Sequence, residues 1–134
     1  MNKTAKIKYR LNISDYDLET AKSMFASKRW LYVVFMCQQA IEKLITALYI
    51  DEFDEEPPIT HNLAFIYKKM RIYQDKTELQ TDILKFLNIL SAHYLNNRYP
   101  DYKNDIAKML SEKTAKRYLT KTTEIYKWLK SLIV

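Results

Sequence analysis

The most apolar stretch of the chain runs from Trp30 to Ile50. It opens with eight consecutive apolar residues, and from Cys37 onward the apolar positions recur at close to helical spacing. A helix that is apolar nearly all round in its first half has to be covered by other helices. We therefore predict a central helix at about Arg29–Ile50, surrounded by a small bundle.

The residues before the central helix predict one further helix. Residues 1–12 are polar and basic, and we expect them to be frayed or extended. The hydroxyl of Ser14 can accept a hydrogen bond from a free backbone amide, so the helix is predicted to begin there. Apolar side chains then follow at helical spacing, and the helix is expected to end near Ser27 or Lys28.

An acidic loop, residues 51–59, separates the central helix from a short third helix. Pro57 and Pro58 cannot continue a helix, and Thr60 is the predicted N-cap of the next one. The apolar positions that give this short helix its spacing are Leu63, Ile66, Tyr67 and Met70.

The last third of the chain predicts two more long helices. Thr77 and Gln80 match a capping box at the start of the fourth helix, which has to end before Pro100. We expect residues 101–110 to be a link with at most one short helical turn, and Ser111 to cap the final helix. The predicted inward positions of that helix are Ala115, Leu119, Thr122, Ile125, Tyr126, Leu129 and Leu132.

Together these elements predict an all-α fold, an up-and-down antiparallel helical bundle with four longer helices and one short one. The 134 residues form one predicted domain, residues 1–134, and the absence of glycine disfavours tight hairpins and phosphate-cradling glycine loops. The single cysteine, Cys37, allows no internal disulfide, which fits a cytoplasmic protein. The longest apolar run is eight residues against the roughly 20 that span a bilayer, so no membrane association is expected.

The chain carries a formal net charge of +6 and has a pI of about 9.3. This excess favours anionic partners such as nucleotides, nucleic acid or an acidic protein surface, without selecting among them. Because the lysines are spread along the chain, solvated helix faces are the alternative interpretation.

Three segments, in this order, resemble landmarks of the HEPN domain family: Gln38–Lys43, Pro57–Leu63 and Asn97–Asp101. The resemblance covers about residues 10–133. The family consists of small all-helical domains associated with nucleotides, with nucleotidyltransferase partners and, in some branches, with RNA cleavage. It implies a homodimer, a purine nucleotide as the candidate ligand, and a separate minimal nucleotidyltransferase as partner in a toxin–antitoxin-like pair.

The turn at residues 98–101 is the first candidate site. Arg98 can hold a phosphate through paired N–H donors, and Tyr99 can stack on a base. The structural alternative is that Arg98 binds free helix carbonyls or Asp101. The resemblance favours the functional interpretation, with Arg98, Tyr99 and Asp101 as nucleotide-binding residues.

His61 and Asn62 form the second candidate. They fall at the start of the predicted short helix, where unpaired backbone amides attract anions. Phosphate or partner contact is the functional interpretation. The alternative is that His61 hydrogen-bonds a neighbouring helix and braces the loop.

Polar residues on the central helix form the third candidate. Gln39, Glu42 and Lys43 interrupt a surface otherwise committed to burial, and buried polar side chains need partners. They therefore line a pocket or form an internal network. The structural alternative for Glu42 or Lys43 is a pair with Arg98 or His61 across the bundle.

The RNA-cleaving branches resemble one another in an Arg followed about four to six residues later by a His, a pair that moves a proton and steadies a phosphate. Here His93 precedes Arg98 by five residues, and no histidine follows Arg98. The sequence thus favours a non-catalytic nucleotide-binding or partner-binding module. A ribonuclease with an irregular His93/Arg98 site and a purely structural dimerising module are the alternatives. Two histidines and one cysteine, widely separated, give no metal-binding spacing.

Overall fold

A computed structural model describes residues 2–74, 78–96 and 100–133. These residues form α-helices and one 3-10 helix, with no β-strand among them, which confirms the all-α bundle with four long helices. In chain order the elements are α1 (Lys3–Ala26), α2 (Trp30–Phe53), α3 (Leu63–Tyr67), a 3-10 helix (Arg71–Gln74), α4 (Glu78–Asn96), α5 (Pro100–Met109) and α6 (Glu112–Lys130).

Helix α2 is the centre of the bundle, as predicted. It packs against α1, α4 and α6, and every residue from Leu44 to Ile50 is buried. The helix continues to Phe53, three residues beyond its predicted end. Its length and composition would allow it to cross a bilayer, a test that the core helix of a soluble protein also passes, and most of its surface is buried inside the bundle.

Helix α1 begins at Lys3, so the prediction of a start at Ser14 after a frayed segment is wrong. The Oδ1 of Asn2 accepts a hydrogen bond from the amide three residues on and caps the helix. Ser14 lies in the helix interior, fully buried, and donates to a backbone carbonyl one turn earlier. A serine hydroxyl can cap a helix or bond back to it, and here the packing against Tyr126 of α6 selects the second role.

Two non-glycine residues in the left-handed region separate α2 from its neighbours. Lys28 has φ 61° and completes a Schellman turn after α1, with the Arg29 amide 2.8 Å from the Met24 carbonyl. Asp54 has φ 58° and ends α2. This geometry costs about 1 kcal/mol or more at a residue with a Cβ, so the packing of α1 on α2 has to offset it.

Residues 100–109 form helix α5, where the sequence predicted a link. Pro100 stands at its first position, where a proline ring already has the helical φ and the missing N–H is not needed. Asp101 in the first turn and Lys108 in the last turn have the charges that the helix dipole favours. Pro100 therefore begins one helix, and α4 ends before it as expected.

Two predicted caps differ in outcome. The N-cap of α3 is Asn62, whose Oδ1 accepts from the Phe65 amide at 3.1 Å, while Thr60 accepts from the Asn62 amide. The prediction of Thr60 as the cap is wrong because both side chains can accept, and the chain turns into helix two residues later. The Ser111 cap of α6 is confirmed, with its Oγ accepting from the Thr114 amide at 3.3 Å.

The capping box predicted for α4 rests on Thr77, which lies outside the described residues. Gln80 is buried, and its Oε1 accepts a hydrogen bond from the Tyr67 hydroxyl, which ties α4 to α3. Of the predicted inward positions in the last helix, Leu132 lies beyond the end of α6 and is exposed, and Leu119 is half-buried. The other predicted positions, Ala115, Thr122, Ile125, Tyr126 and Leu129, are buried.

Candidate functional site

A surface cleft of about 290 Å³ lies where the loop after α2 folds back over α1 and α2. Its walls come from Arg10 of α1, from Glu42, Lys43 and Thr46 of α2, from residues 56–61 and from Ile66 of α3. Glu56 holds the loop in place, since its carboxylate accepts from Arg10 at 2.9 Å and lies 3.7 Å from the Lys6 ammonium.

A hydrogen-bonded chain of side chains runs along α2 beside this cleft. The Lys43 ammonium donates to the side-chain carbonyl of Gln39 at 3.2 Å. The side-chain amide of Gln39 donates to the side-chain carbonyl of Gln38 at 2.7 Å, and the amide of Gln38 donates to the Glu42 carboxylate at 2.6 Å. The Nδ1 of His61 lies 3.2 Å from the Glu42 carboxylate and closes the chain. Four predicted site residues are thus brought together, and the pairing of Glu42 with His61 is one of the pairings that the structural alternative named.

His61 joins the loop to the body of the bundle. Its ring centroid is 4.6 Å from that of Tyr94 on α4, and Tyr94 in turn stacks on Phe35 of α2 at 5.4 Å. The side chain nevertheless remains 48% exposed, against 15% for Glu42. His61 therefore braces the loop and still presents one edge of its ring to solvent at the cleft.

The positive charge of Lys43 acts on α1 as well. Burial raises the pKa of Asp17, and the nearby Lys43 ammonium offsets only part of that effect. The hydrogen-bond acceptor of Lys43 is the neutral amide of Gln39. An ammonium has three N–H donors, so Lys43 keeps donors for an anion that enters the cleft.

The other predicted site residues lie elsewhere. Asn62 caps α3 through its side chain, and Asp101 is exposed in the first turn of α5 and does not line the cleft. Arg98 and Tyr99 lie outside the described residues.

Three residues that the sequence analysis did not select belong to the site. Gln38 is fully buried and links Gln39 to Glu42. Arg10 and Glu56 form the ion pair at its rim. The signal available in the sequence was the basic run at residues 3–10 and the acidic run at residues 51–56, whose charges are complementary.

The two other side chains with reactive chemistry, those of His93 and Cys37, lie partly or fully inside the bundle. His93 is half-buried, its Nε2 lies 3.2 Å from the Tyr118 hydroxyl, and burial lowers its pKa. Cys37 is fully buried, and burial raises the pKa of its thiol to about 12. Among the described residues no group of three or more His, Cys, Asp or Glu side chains could hold a metal ion.

Comparison with known proteins gives one family and one fold. Residues 7–132 match the family model of the HEPN domain. The crystal structure of TT1696 from Thermus thermophilus superposes with a TM-score of 0.76 at 18% identity, covering 98% of each chain, and at that identity the likeness concerns the fold alone. No curated protein matches the chain.

Proposed function

Since the chain belongs to the HEPN domain family, we propose that it is a non-catalytic module that binds a nucleotide through its phosphates and acts with a separate small nucleotidyltransferase. The observation that carries the proposal is the cleft of about 290 Å³, which gathers Arg10, Lys43 and His61 around one opening. The hydrogen-bonded chain from Lys43 to His61 holds two of these groups in fixed positions before any ligand arrives. Such preorganisation lowers the entropic cost of binding.

The cleft has donors suited to a phosphate. Lys43 has free N–H groups, and the guanidinium of Arg10 has five donors, of which Glu56 uses the end at Nη2. In the free protein the carboxylate of Glu56 pairs with Arg10, and that of Glu42 lies against His61. A phosphate therefore competes with carboxylates, which favours multiply charged anions such as a nucleoside triphosphate over inorganic phosphate.

The rim of the cleft also has a place for a base. Ile59 is fully exposed on the loop beside Pro57 and Pro58, although it is a large apolar side chain. A purine that covers Ile59 would remove apolar surface from water. Phosphates at Lys43 and a base at Ile59 make a purine nucleotide the proposed ligand.

A thermal-shift and calorimetry screen against ATP and GTP tests the proposal. A ligand that binds only the folded state raises its stability by RT ln(1 + [L]/Kd), about 2.7 kcal/mol at 100 times Kd. We expect a shift in the wild type and in the control Lys85→Gln, which removes an exposed lysine on α4, and its loss in Lys43→Gln. The absence of a shift with every nucleotide would overturn nucleotide binding and leave a structural interaction module.

The non-catalytic part of the proposal has its own test. His93 is bonded to Tyr118 and partly buried, which does not favour a proton-transfer role. We expect expression of the intact chain to leave growth unchanged. Growth arrest that is relieved by His93→Ala would establish the ribonuclease alternative in its place.

We further propose that the module is a homodimer, as the family resemblance implies. Large apolar side chains remain exposed on α1, including Tyr9 and Tyr16. Light scattering should give twice the chain mass of 16.1 kDa. A monomer at the concentrations used for binding would contradict this part of the proposal.

A further inference from the structure

The positive charge of the protein is concentrated on α6. This helix has six basic and two acidic residues, so it carries a formal +4 of the chain's +6. The sequence alone suggested that lysines were spread along the chain. The fold instead places most of the excess charge on one helix.

Four of these cations share one side of α6. They are Lys113 and the residues three, four and eight positions after it, namely Lys116, Arg117 and Lys121. Residues at these spacings lie along one side of a helix. They border a shallow groove of about 430 Å³ together with Thr120 and Glu124. We call Lys113, Lys116, Arg117 and Lys121 the basic α6 face.

None of the four cations of the basic α6 face is in an ion pair within the described part of the chain. The ion pairs found there use other cations, among them Lys130 of the same helix, which binds Asp15 of α1. Lys113, Lys116 and Arg117 are exposed and Lys121 is half-buried. Their apolar stems line the groove while their charged heads stay in water, as long basic side chains do.

The density of positive charge on this face favours a polyanionic partner. The eight steps from Lys113 to Lys121 span about 12 Å at a rise of about 1.5 Å per residue. Four cations within that length suit a polyanion such as a nucleic-acid strand, because each phosphate that they neutralise releases condensed counterions. We propose that the basic α6 face binds the phosphate backbone of a single nucleic-acid strand.

The chemistry of the face defines the mode of binding. The lysine ammonium groups of this face act as point charges, and only Arg117 has a planar guanidinium that can make paired, directional hydrogen bonds. Binding is therefore tolerant of sequence and driven by the release of counterions. The surface is separate from the nucleotide cleft on α1 and α2, so the two proposals stand or fall independently.

Fluorescence polarisation with labelled oligouridylate and oligodeoxythymidylate tests this proposal on the full chain. One variant changes all four residues of the basic α6 face to Gln. The matched control changes four exposed lysines on other elements, Lys3, Lys8, Lys68 and Lys85, to Gln, so both variants lose the same net charge. Circular dichroism should show the same helix content and melting temperature in all three proteins.

We expect binding by the wild type and the control, and loss in the α6 variant. Four phosphate contacts predict an affinity that falls on the order of fifty-fold between about 50 and about 200 mM salt. The single change Lys116→Gln should reduce the slope of log K against log salt by about 0.7. A preference between the two oligonucleotides would distinguish RNA from DNA, and either result supports the proposal.

Three outcomes would overturn it. Equal loss in the α6 variant and the control would show that net charge, and not this face, attracts the strand. Competition by polyglutamate as effective as that of the unlabelled oligonucleotide at equal charge would assign the face to an acidic protein. No binding of either oligonucleotide at low salt would remove the face as a nucleic-acid surface.

Discussion

The phenol oxygen of Tyr126 lies 2.8 Å from the hydroxyl oxygen of Ser14, 112 positions earlier in the chain. The same phenol donates to the carboxylate of Asp15, which also accepts from Lys130 at 2.8 Å. Burial and the hydrogen bond with Asp15 raise the pKa of Tyr126, so the phenol keeps its proton. This polar cluster joins the first long helix to the last.

Removal of the phenol should destabilise the bundle. In Tyr126→Phe, Ser14 and Asp15 each lose a partner, and we expect the free energy of unfolding to fall by about 1–2 kcal/mol in urea denaturation. Tyr16→Phe is the control, since that side chain is 73% exposed and phenylalanine keeps its apolar ring, so this change should leave stability as it was. Equal effects of the two substitutions would contradict the structural role of Tyr126.

The carboxylate of Asp15 should make stability depend on acid. Burial tends to raise its pKa, but the hydrogen bonds from Lys130 and Tyr126 outweigh burial, so the pKa lies below 3.8. A lowered pKa in the folded state stabilises the protein above the unfolded value, and this contribution is lost as the pH falls through the folded value.

Urea midpoints measured as the pH falls below 3.8 should therefore decrease less steeply in Lys130→Met than in the wild type. Lys127→Met removes an exposed lysine from the same helix and should keep the wild-type pH dependence. The same pH dependence of the urea midpoint in both variants would contradict this role of the Lys130–Asp15 pair.

His93 should destabilise the fold in mild acid. Burial lowers its pKa below 6.5, so the unfolded chain takes up a proton before the folded chain does. Stability should consequently fall as the pH drops below 6.5, and His93→Gln should flatten that part of the curve. His61→Gln changes the chain's other histidine and should keep the fall that His93 causes. An unchanged slope in His93→Gln would show that another group titrates there.

Arg98 lies outside the described residues. A substitution at this position tests directly whether the sequence landmark is a phosphate-binding site. If its guanidinium holds a phosphate, Arg98→Ala should weaken nucleotide binding about tenfold to a hundredfold, the range of a lost charged hydrogen bond. Calorimetry measures the change, and Arg29→Ala is the control, an exposed arginine whose side chain makes no capping hydrogen bond. Wild-type affinity in Arg98→Ala would confine the site to the cleft of Lys43 and His61.

The sequence was sufficient for the elements whose burial it dictates. The apolar run from Trp30 predicted a buried central helix and Ser111 predicted a helix cap, and both predictions are confirmed. It was insufficient where one residue type serves two structures. The Ser14 hydroxyl can cap a helix or bond within one, and Pro100 can end one helix or begin the next. For Ser14, contacts with residues distant in the sequence decide between the two roles. For Pro100, the local backbone geometry decides.

The candidate site shows the same division. A pairing of Glu42 with His61 was among those expected, because a carboxylate on a largely buried helix needs a partner. Arg10 was missed since it fell in a segment expected to be frayed. Gln38 was missed because the sequence pattern did not show that its side-chain amide would be buried and hydrogen-bonded to Glu42.

The order of the helices has a consequence for synthesis on the ribosome. Helices α1 and α2 are adjacent in the chain and pack on each other, so they can associate soon after Phe53 emerges. Helix α6, which also packs on both, emerges last. Until it arrives, Ser14 lacks its contact with Tyr126 and the part of α2 that packs on α6 is uncovered, so a nascent chain stopped before Glu112 should require a chaperone to remain soluble.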